Sequence, residues 1–153
     1  MSDILNIKDF RKLVKKPMQK KEEDLQMKVC KWLDNFPSIV YTSDLSGIKL
    51  TIGSAVKAKK QRSKIYKIPD LLILQPNKKY CGLIIELKKD KSEVFGKKNQ
   101  LLQNQHTQSQ IKTLLRLHEL GYCATFGFGY HSTIDIIEKY INDEQPYIII
   151  DKM

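Results

Sequence analysis

The sequence predicts an α/β domain built on a mixed sheet with helices against both faces. Two apolar runs, Ile68 to Gln75 and Tyr80 to Lys88, flank the turn-forming Pro76-Asn77-Lys78-Lys79 and are expected to pair as an antiparallel hairpin. Both runs are apolar at consecutive positions (Leu71, Leu72, Ile73, Leu74; Leu83, Ile84, Ile85), so both faces of the hairpin need cover. Segments of helical period lie on either side of it. A chain of 153 residues has the length of one domain and can bury a core without metal or disulfide staples.

Each element follows from local pattern. Residues 3 to 16 place Leu5, Ile7, Phe10, Leu13 and Val14 among lysines, which permits a short amphipathic helix or a loose arm ending before Pro17. Residues 1 to 21 are accordingly a basic arm, and 22 to 153 the domain. From Glu22 to Phe36 the apolar set Leu25, Val29, Trp32, Leu33 and Phe36 keeps helical spacing, with three acids in the first turn where the helix dipole favours them. Ile39 to Thr42, β-branched and aromatic, is expected as a strand, and Ser43 to Lys67, rich in Gly, Ser and Lys, as a long connection. Such a length in a compact domain is usually functional or disordered.

After the hairpin, Asp90 to Gln105 is polar and loop-like. Gln108 to Leu120 carries Ile111, Leu114, Leu115 and Leu117 at helical spacing and stops at Gly121, a good residue to end a helix. Tyr122 to Phe126 should be a strand, Ser132 to Ile141 a helix, and Tyr147 to Ile150 a last strand, giving the order αβββαβαβ.

The composition, 41% hydrophobic and 29% charged, is that of a globular chain. No apolar run approaches the length of a membrane span, and the first sixteen residues lack a signal peptide's apolar core, so an intracellular protein is expected. Cys30, Cys81 and Cys123 form no CxxC pair and are expected to be small buried hydrophobes. The net charge is +10, but it is polarised: up to Gln100 there are 23 basic residues against 11 acidic, and beyond it 4 against 6. That polarity points to a polyanion, with nucleic acid favoured over a membrane because no basic helix with Trp or Phe anchors accompanies it. A lysine-rich solvated surface would show the same bias.

Between Leu45 and Lys89 there are eleven basic residues and two acidic ones, Asp70 and Glu86, both inside apolar strands. Carboxylates in covered strands cost several kcal/mol unless they are paired or bound to a cation. A hairpin centred on Lys78 sets Asp70 across from Glu86, with Cβ atoms roughly 5 Å apart. Their mutual repulsion is relieved most simply by a divalent cation. Lys88 projects from the face that carries Glu86, because side chains alternate along a strand. A Pro-Asp turn followed by a Glu-Lys pair at a strand end would give the same letters, and a slip of one residue would send Asp70 to the other face.

Pro69-Asp70, fifteen intervening residues and then Glu86-Leu87-Lys88 resemble the PD-(D/E)xK nuclease arrangement, and in particular the VRR-NUC branch in its compact phage and prophage form. The similarity runs from about Glu22 to Ile141. It includes Glu-x-x-Leu-Gln at Glu22 to Gln26, Leu50-Thr-Ile-Gly-Ser-Ala-Val-Lys before the first hairpin strand, and Gly82-Leu-Ile-Ile-Glu-Leu-Lys. It also includes Gln110 followed eleven residues later by Gly121-Tyr122. The pair of short motifs occurs often by chance, whereas all these blocks in order are far more specific.

The resemblance implies the restriction-endonuclease-like αβββαβ core and a metal-dependent endonuclease acting on DNA, with branched or flapped DNA as one substrate class. In that frame Glu22, Asp70 and Glu86 hold one or two Mg²⁺ or Mn²⁺ ions and the Leu87 carbonyl is a further ligand. Lys88 positions the attacking water and Gln110 supports the site. Glu22 is preferred over Glu23 and Asp24 because it shares a helix face with Gln26. The family often has Asn where this chain has Asp44. A symmetric junction would call for a homodimer, since two nicks need two sites. A phage origin would place the protein in a bacterial cytoplasm. Two alternatives stay open: a general, restriction-like or repair nuclease for ordinary duplex, and an inert DNA-binding module whose acidic pair is structural.

Lys57, Lys59, Lys60, Arg62, Lys64 and Lys67 put six cations into eleven residues just before Asp70 and are expected to grip the phosphate backbone. His106, His118 and His131 lack metal-ligand spacing and are expected at the surface or at helix ends. Gly127-Phe-Gly129 is expected to be an ordinary turn.

Overall fold

The computed structural model describes residues 25–44 and 50–144. The arm over residues 1–21, Glu22 and the strand expected at Tyr147 to Ile150 lie outside the described residues. Helix α1 (Leu25–Leu33) comes first, then β1 (Tyr41–Ser43), α2 (Ile52–Gln61), β2 (Leu71–Ile73) and β3 (Leu83–Lys88). A 3₁₀ turn at Lys91–Glu93, α3 (Gln105–Glu119), β4 (Cys123–Phe128) and α4 (Gly129–Ile141) complete the order. None of the described helices is long and apolar enough to cross a membrane.

The four strands form one mixed sheet in the order β1-β2-β3-β4. β1 and β2 are antiparallel, as are β2 and β3, while β3 and β4 run parallel with α3 as the crossover. The hairpin register is Leu71↔Ile85, Leu72↔Ile84 and Ile73↔Leu83, centred on Lys78. β3 is the central strand, and its residues are buried apart from half-buried Leu87, as expected for a strand covered on both faces. The core joins Val29, Trp32 and Leu33 of α1 to Leu71, Ile73, Leu83 and Ile85 of the hairpin, to Ile111 and Leu114 of α3, and to Ile134, Ile137 and Tyr140 of α4.

Several boundaries differ from the sequence expectation. β2 is only three residues long. Ile68 and Leu74, counted in the apolar run, are exposed, because the strand pairs only where both neighbours reach it. The connection from Ser43 to Lys67 contains a whole helix, α2, capped by the Thr51 hydroxyl, which accepts from the Ser54 N–H. α3 starts three residues before the apolar periodicity because Asn104 Oδ1 caps the Thr107 N–H at 2.8 Å. It ends in a Schellman arrangement: Gly121, at φ +92°, donates to the His118 carbonyl and Tyr122 to the Leu117 carbonyl. Gly127 lies inside β4 and not in a turn. A Cβ there would come within 2.5 Å of Thr133 Oγ1 and 2.9 Å of Ile85 Cγ2, so glycine is what lets α4 approach the sheet. Of the cysteines, Cys123 is buried and Cys30 half-buried. Cys81 is exposed, since it precedes β3 at the turn end of the hairpin.

Candidate metal and nuclease centre

The centre forms where the N-terminal end of β2 meets the C-terminal end of β3. Continuing the register from Leu71↔Ile85 sets Asp70 beside Glu86. The Leu87 N–H donates to Asp70 Oδ2 at 2.8 Å, which fixes one carboxylate against the strand that carries the other. Lys88, two residues on, turns its ammonium back to Glu86 Oε1 at 3.4 Å. Glu86 and Lys88 are only 3% and 8% exposed. From α3, buried Gln110 donates its Nε2 to the same Glu86 oxygen. Asp70, Glu86, Lys88 and Gln110, four positions spread over forty-one residues of sequence, are thereby brought together.

A second layer holds the backbone of this corner. Gln26 on α1 donates to the Asp44 carbonyl at 2.6 Å and the Asp70 carbonyl at 3.4 Å, and the Asp44 N–H donates to the Asp70 carbonyl at 2.8 Å. The segment after β1 and the start of β2 are clamped as a unit. The Asp44 carboxylate sits 4.0 Å from Arg62, which draws the end of the basic segment to the sheet.

The electrostatics are those of two acids crowded into a dry corner. Burial, and then the neighbouring Asp70, push the Glu86 carboxyl up to about 7, with Lys88 and Lys67 pulling the other way. Asp70 is raised too, mainly by burial, against the opposing influence of the Leu87 N–H, Lys67 and Lys88. Lys67, from the basic segment, is thus close enough to act on both acids. His106 shares that environment: it is exposed in the first turn of α3, and its pKa is lowered by partial desolvation and then by Lys67 and Lys88. It is a helix-end histidine as expected, but one close enough to Asp70 to feel its charge. Its spacing of four residues before Gln110 is the sequence feature that could have placed it there.

The donor set suits a hard divalent cation. Asp70 Oδ1 and Glu86 Oε2 take no hydrogen bond among the described residues, while the other oxygen of each is held by protein donors. Gln110 Oε1 is buried and has no donor among the described residues, leaving an acceptor for a cation-bound water. Among the described residues no three His, Cys, Asp or Glu side chains gather at one point, so here the carboxylates number two. Glu22, the third that the resemblance implies, lies outside the described residues. The Leu87 carbonyl belongs to the strand residue between Glu86 and Lys88.

Beside the centre runs a cleft of about 480 Å³, walled by Thr42 to Asp44 on the sheet side, Arg62 to Ile68 on the other, and Ser109 of α3. Tyr66 anchors that far wall by lying against the Lys112 ammonium, 5.9 Å from the ring centre. Of the six cations expected on DNA, Lys67 and Arg62 therefore border the centre. Lys57, Lys59 and Lys60 are exposed on α2, and Lys64 is exposed on the return from it.

No protein-family model matches the sequence, and no curated protein matches it. A solved structure named "VRR_NUC domain protein" is similar to the chain with a TM-score of 0.54 and 21% identity, over 82% of this chain and 91% of that one. At that identity the likeness concerns architecture. The chain has the fold of that VRR_NUC domain protein, a restriction-endonuclease-like mixed sheet flanked by helices.

Proposed function

We propose that the chain is a divalent-metal-dependent endonuclease that hydrolyses DNA phosphodiester bonds. The reading rests above all on the convergence of Asp70, Glu86 and Lys88 at one end of the hairpin, with Lys88 3.4 Å from Glu86. It is supported by the sequence resemblance and by the name of the structural neighbour. Mg²⁺ or Mn²⁺ held by Asp70 and Glu86, with Glu22 and the Leu87 carbonyl as further ligands, would supply hydroxide at neutral pH and neutralise charge on the phosphorane-like transition state.

The chain's own groups do the rest. Gln110 and Lys88 lock one oxygen of Glu86 and the Leu87 N–H locks one of Asp70, which leaves the remaining oxygen of each for a cation. Lys88 holds a fixed positive charge where the attacking water and a non-bridging phosphate oxygen would sit. Lys57, Lys59, Lys60, Arg62, Lys64 and Lys67 neutralise the backbone leading to the scissile phosphate. The substrate proposed is DNA, with branched structures such as junctions and flaps preferred on the strength of the resemblance. On a symmetric junction the enzyme acts as a homodimer.

Incubation with Mg²⁺ or Mn²⁺ and a panel of duplex, single-stranded, flap and four-way junction DNA tests this. Cutting confined to branched DNA supports structure selection, and cutting of every substrate makes it a general nuclease. Tight DNA binding with no cutting under either ion would leave an inert binding module with a structural acidic pair.

A further inference from the structure

Helix α2 is built the wrong way round for a core element. Ten residues long, or about 15 Å at 1.5 Å per residue, it has no buried side chain. Ala58 alone is half-buried and marks the side turned to the domain. At 100° per residue, Ile52 and Val56 fall on the outward side, flanked by Ala55 and Lys59 on one hand and Lys60 and Lys57 on the other. Ile52 is 88% exposed and Val56 50%. A shallow groove of about 840 Å³ runs along the same flank, between Leu50, Ala55 and Val56 and the returning Arg62 to Lys64.

An apolar stripe that faces water over the first half of the helix, Ile52 to Val56, is a surface for an occupant. The stripe is bordered by cations on both sides, and between Thr51 and Lys67 there are six of them and no acid. A second copy of the chain would set lysines against lysines, and like charges across an interface cost affinity. The chain's own N-terminal arm carries the same sign, with Lys8, Arg11, Lys12, Lys15, Lys16, Lys20 and Lys21. A polyanion with apolar edges fits both properties. Duplex DNA has phosphate rails spaced around a major groove whose width admits one helix and whose floor carries thymine methyl groups. The helix is also continuous with the centre: the chain leaving it passes Arg62, paired with Asp44, and reaches Lys67 beside Asp70 and Glu86.

We infer that α2 seats in the major groove of the duplex arm next to the cut, with Ile52, Ala55 and Val56 against base edges and Lys57, Lys59 and Lys60 on the flanking phosphates. The inference rests on the reading of the chain as a DNA-acting enzyme, and it names the element that distinguishes duplex from single strand. Apolar contacts carry no counterion release, so they should add affinity without altering salt dependence.

The full-length protein is titrated onto a fluorescent duplex and onto one of its single strands in Ca²⁺, so that binding is read apart from cutting. The double variant Ile52→Ala/Val56→Ala keeps helix propensity and disturbs no core residue. It should bind the duplex about tenfold more weakly, with an unchanged salt slope and single-strand affinity within about twofold. Ile52→Leu/Val56→Leu should recover most of the loss. Unchanged duplex affinity, or an equal loss on the single strand, overturns the groove seat. A variant that instead loses self-association in sedimentation, or loses binding to anionic phospholipid vesicles while duplex binding stands, assigns the stripe to another occupant. Failure of the wild type to cut any DNA would defeat the nuclease reading and leave this binding result to stand or fall by itself.

Discussion

Next to the sheet-side wall of the cleft, Asp70, Glu86, Lys88 and Gln110 are fixed by strands and a helix that share the core. On the other, the stretch from Thr51 to Lys67 crosses the surface on a helix without one buried side chain. The first wall gains geometry from packing: β3 lies between β2 and β4, and Ile111, next to Gln110, and Leu114, one turn on, press α3 onto the sheet. The second is tethered by polar threads, the Arg62–Asp44 pair and Tyr66 against Lys112. Chemistry that tolerates little positional error sits on the rigid wall. Charge that must follow a long polyanion sits on the compliant one.

The rigid wall is the place where a single atom should matter most. Asp70→Asn, Glu86→Gln and Lys88→Ala are each expected to lower cleavage by about 10³-fold or more, since each removes a group that acts in the transition state. DNA affinity should change little, because most of the phosphate contacts lie on the other wall. Full activity in any one variant, measured on the wild type's best substrate, would dissolve the contrast between the two walls.

The same wall should store a pH-dependent strain. With the Glu86 carboxyl raised from 4.5 to about 7, the folded protein holds a proton between those values that the unfolded chain has released. Metal-free stability must therefore fall as pH rises from about 4.5 to 7, by roughly 3 kcal/mol at most. The raised Asp70 carboxyl acts in the same direction. Denaturant melts in EDTA at pH 5 and pH 8 check the sign, and Glu86→Gln should flatten the difference. A divalent cation should offset the strain, by about 2.7 kcal/mol at a hundredfold excess over its Kd. That gain should be larger at pH 8 than at pH 5, where protons compete. A melting temperature indifferent to Mg²⁺, Mn²⁺ and Ca²⁺ at pH 8 would take the metal out of the account.

On the compliant wall, effects should appear in salt dependence. If the lysines neutralise phosphates, log affinity falls with log salt by about 0.9 per contact, and Lys57→Ala/Lys60→Ala/Lys64→Ala should flatten the slope by roughly two to three units. Cleavage at saturating DNA should persist, because none of the three borders the acidic pair. An unaltered slope would make the segment a merely solvated surface and move the basic contact to the arm from Lys8 to Lys21.

The two walls were also unequally legible in the sequence. The hairpin register could be read because Leu71 to Ile73 and Leu83 to Ile85 are apolar on both faces and the turn residues fix the centre at Lys78, so Asp70 and Glu86 fall together. α2 could not be read from periodicity, because a core-facing stripe is what periodicity detects, and the apolar residues of α2 face outward. Thr51-Ile52 followed by a Gly-Ser pair resembles a loop until the hydroxyl is seen to cap Ser54. The first turn of α3, Gln105 to Thr107, is polar for the same reason that it is useful: it borders the open centre. His106 was therefore visible only as a surface or helix-end histidine. Glu22 stays an expectation carried by the resemblance and by its spacing from Gln26, whose side chain does reach the Asp70 backbone.

The smallest expected effect compares identical chemistry on the two walls. Asn104 caps α3 and Thr51 caps α2, each accepting from the backbone N–H three residues on. Removing such a cap costs a helix about 1 kcal/mol. α3 unfolds only with the core it helps to form, so Asn104→Ala should lower global stability by about that amount. α2 buries nothing and can open while the domain stays folded. Thr51→Ala should therefore leave global stability in denaturant melts within about 0.5 kcal/mol of the parent, while amide exchange at Ser54 and Ala55 accelerates by about fivefold. If Thr51→Ala instead costs as much global stability as Asn104→Ala, α2 is covered in solution by another part of the protein or by a second copy. Its apolar stripe would then be an internal surface, and only the lysines would remain for DNA.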